Sequence, residues 1–120
     1  MTIEHFNKHR QIIETALRYG HDSHSIEDVR ESIINGQMQY WPSENSFIIT
    51  EVAIYPQYYN LHGFLAGGET QELKKMLPEL EFAAKKMGCK HTTLTGRKGW
   101  ERAFKDIGYK PTFFTFNKEL

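Results

Sequence analysis

Apolar positions recur at helical spacing at the start of the chain and at spacing two in its middle. Over residues 4–19, Phe6, Ile13 and Leu17 fall near one face of a helix, which Gly20 stops. After the polar run HDSHS, Ser25 is placed to cap a second helix. Asp28 stands three residues on, as in a capping box, and Ile26, Val29 and Ile33 form the stripe. Asn35-Gly36 ends that helix. The period then changes. Residues 37–41, 46–54 and 61–66 read as three strands, with turn chemistry at Pro42-Ser43-Glu44-Asn45 and a loop over Pro56–Asn60.

Gly67-Gly68 breaks the strand pattern. Residues 70–76 read as a helix that Pro78 is expected to interrupt or restart, because proline lacks the amide and disfavours a helical Leu77. Leu80, Ala83, Ala84 and Met87 continue at helical spacing to Gly88. A strand is predicted over 89–95. A helix over 98–107 turns Trp100, Ala103, Phe104 and Ile107 inward, and a last strand covers 112–117. The order α-α-β-β-β-α-β-α-β defines an α+β fold, with a mixed central sheet flanked by helices in a single domain over residues 1–120.

Composition narrows the classes. Fifteen basic residues balance fifteen acidic ones, so no basic excess points to general nucleic-acid binding. No apolar run reaches the roughly 20 residues of a membrane span, and the polar N-terminus lacks a secretory pattern. Cys89 is the only cysteine, which excludes an internal disulfide and suits a reducing compartment. It reads as a small buried side chain. His5 and His9 stand four apart on a helix and read as a surface pair; the six histidines form no compact metal motif, so no metal is expected. Arg97, Lys98 and Arg102 form a basic edge, by default a solvated one.

The element order, and above all the stretch TLTGRKGWERAFKDIGYKP, resembles the GCN5-related N-acetyltransferase (GNAT) family, with its usual first strand short or missing. In that family a strand splays from its neighbour, and a Gly-rich Q/R-x-x-G-x-G/A turn offers backbone amides to the pyrophosphate of acetyl-CoA at a helix N-terminus. The resemblance puts Phe64, Leu65, Ala66, Gly67, Gly68 and Thr70 at that cofactor site. Residues 64–66 would polarise the thioester carbonyl for direct attack by an amine. It makes Glu51 and His62 the candidates for a general base, although Glu51 also fits a solvated sheet face.

Two departures weigh against catalysis. The Q/R-x-x-G-x-G/A spacing is absent from FLAGGETQELKK, and Glu69 brings a carboxylate toward the place of the phosphates. Phe104 stands where many family members carry a tyrosine that protonates the thiolate, and phenylalanine has no proton to give. FLAGGETQEL, the helix end MGC and GRKGWERAFKDIGY further resemble small GNAT-like proteins of tailed bacteriophages, some of them internal virion components. Together with the two departures, that resemblance points to a non-catalytic protein without cofactor, in the virion or host cytoplasm, that contacts phage structural proteins or copies of itself. Trp41, Tyr55, Tyr58 and Tyr59 are the expected contact residues, with Tyr40 a further aromatic available for contact. The alternative is an acetyl-CoA-dependent N-acetyltransferase with a degenerate phosphate loop.

Overall fold

The structure, a computed structural model, describes residues 3–120, Ile3 by its backbone alone. Three helices come first: α1 (Ile3–Lys8), α2 (Arg10–Tyr19) and α3 (Ile26–Ile34). Strands β1 (Met38–Pro42), β2 (Phe47–Ile54) and β3 (Tyr59–Gly67) form an antiparallel meander. Helix α4 (Thr70–Lys86) crosses over to β4 (Cys89–Leu94), which pairs with β3 in parallel. Helix α5 (Trp100–Phe104) and a 3-10 turn (Lys105–Ile107) follow. The sheet order is β1-β2-β3-β4, which gives the mixed α+β layout expected of the sequence.

Each face of the sheet carries its own core. Phe6, Ile13, Leu17, Ile26 and Val29 of the first three helices pack on Tyr40, Phe47, Ile49 and Leu65. Leu73, Leu77, Leu80 and Ala84 of α4, with Phe104, pack on Ile48 and Leu61. Phe47, Ile48 and Ile49 feed both faces in turn, which is why that stretch reads as an unbroken apolar run. Ser25 and Asp28 form the capping box of α3, with bonds of 3.1 and 2.8 Å.

Several expectations are corrected. The first helix is divided at His9, whose ring is drawn into the core: Nδ1 lies 2.6 Å from Tyr40 Oη, and Nε2 is 3.2 Å from the Glu44 carbonyl. His9 is therefore a buried residue and not half of a surface pair, and Tyr40 is buried with it. Pro78 lies inside a continuous α4. The stripe Leu73, Leu77, Leu80, Ala84 stays in phase across it, and Pro78 is exposed, so the carbonyl it leaves unbonded can meet water. Ile107 is 39% exposed and outside the core, because the tightening into a 3-10 turn rotates it off the apolar face. The last strand is absent: residues 112–117 have no regular structure and leave β4 as an edge.

Candidate functional site

Two sheet irregularities build the site. Ile49 pairs with Leu65 and Thr50 with Gly63, so Phe64 has no counterpart on β2 and forms a bulge. The bulge turns both Phe64 and Leu65 toward the core under the first three helices, where His24 packs edge-on against Phe64 at 4.8 Å. On the other side, the ladder to β4 ends at Gly63, opposite Leu94, with a last bond from the Thr95 amide to the Gly63 carbonyl at 2.9 Å. A Cβ on Gly63 would displace the end of the Leu94 side chain and crowd the Thr93 carbonyl. Beyond it, Leu65, Ala66 and Gly67 pair with β2 alone, and the two parallel strands part.

His62 sits at the foot of this parting, across from Glu51. Its Nδ1 is 2.8 Å from Thr93 Oγ1, and its Nε2 is 3.2 Å from Thr95 Oγ1. Asn60 Nδ2 donates to the same Thr93 oxygen at 2.8 Å. Two arrangements satisfy all three: the Thr93 hydroxyl donates to Nδ1 and Nε2–H donates to Thr95, or Nδ1–H donates to Thr93 and the Thr95 hydroxyl donates to Nε2. Burial holds the imidazole below its ordinary range, partly offset by Glu51, so it is neutral at pH 7. In either tautomer the one lone pair of the neutral ring is engaged by a threonine hydroxyl, which leaves none for taking a proton from an amine. Asn60 Oδ1 is buried and accepts no hydrogen bond from the described residues.

The turn from β3 into α4 is filled from within. Gly68 has φ +108°, and a Cβ there would strike the Asn45 carbonyl and Ser46. This close approach lets Ser46 Oγ accept the Glu69 amide at 2.7 Å and lie 2.7 Å from a Glu72 carboxylate oxygen. The Asn45 amide donates to the same carboxylate at 3.0 Å. These bonds, led by the one from Ser46, lower the pKa of Glu72, so it is ionised at neutral pH. The carboxylate set in the first turn of α4 belongs to Glu72. Glu69, the residue picked out in the sequence, is exposed and makes no side-chain cap bond. Thr70 is the first residue of the helix.

Phe104 is buried, with Trp100 edge-on at 5.8 Å and Tyr109 at 6.4 Å. Gly108 has φ +93°, and Tyr109 turns back over the core to meet Glu81 at 2.9 Å and Thr92 at 3.0 Å. Burial pushes the Tyr109 phenol up to about 12, so it stays protonated and donates to Glu81. Arg97 stacks on Tyr19 at 4.4 Å. Cys89 is half-buried, which raises its thiol pKa.

Of the expected contact residues, Tyr55, Tyr58 and Tyr59 are exposed around the β2–β3 hairpin, with Tyr58 tilted on His91 at 4.5 Å. Trp41 is half-buried, its indole donating to Thr50 Oγ1 at 2.9 Å. A groove of about 420 Å³ lined by His5, Tyr40, Trp41, Pro42, Met76 and Glu79 shares no residue with the parted strands. Among the described residues no group of three His, Cys, Asp or Glu is close enough to hold a metal, and no helix is long and apolar enough to cross a membrane.

Solved structures share this fold. A crystal structure described as a probable acetyltransferase superposes over 100% of this chain and 93% of its own, with TM-score 0.71 and 9% identity. A tetramutant of the BH1408 protein from Bacillus halodurans gives TM-score 0.68 at 12% identity over 100% and 97%. An acetyltransferase of Trypanosoma brucei gives 0.59 at 7% identity over 79% and 78%. The chain thus has the GNAT-like acetyltransferase fold. No family model matches it, and no curated protein does.

Proposed function

We propose that this chain uses an acetyltransferase-type fold as a scaffold for protein contacts and does not transfer acetyl groups. The Glu72 carboxylate carries the reading. In the family it resembles, the N-terminus of this helix receives a pyrophosphate; here an ionised side chain of the protein itself lies in that first turn, bonded to Ser46 and Asn45. A second anion brought to the same place meets its charge in addition to the loss of a bonded turn. The residues present therefore do not fit acetyl-CoA.

Phe104 and His62 support the reading independently. Phe104 has no proton to offer, and its ring is part of the core. Both ring nitrogens of His62 are engaged by threonine hydroxyls, Nδ1 by Thr93 and Nε2 by Thr95. The exposed tyrosines 55, 58 and 59 present large, stiff aromatic area suited to a partner. The resemblance to small phage proteins supports a place in a virion or its assembly, among structural proteins or copies of the chain itself. Mass spectrometry of purified particles tests that setting; the chain is expected among their proteins, and its absence from them overturns the assignment.

The parting of β3 and β4 beyond Gly63 favours a second reading, an acetyl-CoA-dependent N-acetyltransferase with an altered phosphate turn. Under it, Phe64 to Gly68 and Thr70 would line the cofactor. An assay of acetyl transfer to a panel of amines separates the two: turnover above the uncatalysed rate supports the enzyme.

A further inference from the structure

The segment after Tyr109 has the composition of a strand but no sheet to join, and β4 is a sheet edge without a strand beside it. Phe113, Phe114 and Phe116 are 94%, 68% and 93% exposed, an unusual density of bare aromatic surface within four residues. Thr112–Asn117, TFFTFN, is rich in strand formers and puts Phe114 and Phe116 on one side of an extended chain. β4 stands last in the sheet order, so its outer backbone groups have no strand partner among the described residues. The bonds of Tyr109 to Thr92 and Glu81 anchor the segment beside that edge, yet within the chain the two do not pair.

We propose that residues 112–117 of one copy add as a strand to the β4 edge of a second copy, and that the second copy returns its own segment in the same way. Both halves of the contact lie on one chain, so reciprocal exchange satisfies each and closes as a two-fold dimer in which both β4 edges are paired. The lengths agree: β4 spans six residues, Cys89–Leu94, as does the donated segment. The area suffices as well. A phenylalanine buries roughly 150–250 Å², so three from each copy reach the ~1,000 Å² that a stable interface needs. The inference deepens the contact reading above, and rests on it, by naming a second copy as partner. Its test measures assembly alone, whereas acetyl-CoA titration and transfer assays measure the other claim, so either can fail without the other.

Sedimentation velocity of the full chain at micromolar concentration is expected to show a dimer. Thr115→Pro, which removes a strand amide at an exposed position, and Phe113→Ser with Phe116→Ser are expected to give monomers with unchanged circular dichroism and melting temperature. Cys89, at the start of β4, supplies a second readout. Chains with Cys89→Ser and single cysteines scanned from Thr112→Cys to Asn117→Cys are mixed with native chains and oxidised. At least one position is expected to give a disulfide-linked pair of unlike chains. A monomeric native chain overturns the proposal. So does a dimer that survives Thr115→Pro, or one in which no tail cysteine reaches Cys89 of the other copy.

Discussion

Ser46 and Glu72 come within 2.7 Å of each other across the start of α4, from positions 26 residues apart in the chain. Ser46 is fully buried and accepts the Glu69 amide with the same oxygen. Ser46→Ala leaves that amide without its acceptor and is expected to cost about 1–2 kcal/mol. Chemical denaturation measures it. A change near zero means that water replaces the serine and that the turn is not locked.

Gly68 lets the two sides of this turn meet. Its φ of +108° and the closeness of the Asn45 carbonyl leave no room for a side chain. Gly68→Ala is expected to destabilise the fold by more than the ~1 kcal/mol of a strained backbone alone, because Ser46 must also move. A fall in the denaturation midpoint checks this; an unchanged midpoint contradicts the packing described.

Phe104 fills the core between Trp100 and Tyr109. Phe104→Ala is expected to cost about 3–5 kcal/mol. Phe104→Tyr is expected to cost about 1–3 kcal/mol, since a buried hydroxyl needs a partner, and to produce no acetyl transfer. A tyrosine variant of native stability that acquires transfer activity contradicts the purely structural role.

His62 makes stability depend on pH with a definite sign. Burial depresses its folded pKa, so the unfolded chain takes up this proton first as pH falls. Its contribution is complete above the unfolded value of about 6.5 and declines below it until the folded pKa is passed. Urea midpoints between about pH 5 and 7.5 are expected to rise with pH, and His62→Gln is expected to flatten that part of the profile. An NMR titration midpoint for His62 above the ordinary imidazole value contradicts the assignment.

Much of the fold was legible because its causes are local. Ser25 and Asp28 lie three residues apart and cap α3 as their spacing requires. The alternation through Phe47, Ile48 and Ile49 reflects a strand buried on both faces. What escaped depends on distant partners. The burial of His9 is set by Tyr40, 31 residues away, and the role of Glu72 by Ser46. The sequence pointed to Glu69 because it follows the glycines directly, whereas the helix turns the residue three further on toward the β1–β2 hairpin. The strand pattern of 112–117 is real in composition, but a strand also needs an edge to join, and within the chain none receives it.

Calorimetric titration with acetyl-CoA at low salt tests the central claim most directly, made on the native chain and on Glu72→Gln. The native chain is expected to show no saturable binding in the micromolar range, and removal of the carboxylate charge is expected to strengthen whatever weak binding exists. Micromolar binding by the native chain, unchanged by Glu72→Gln, would contradict the account.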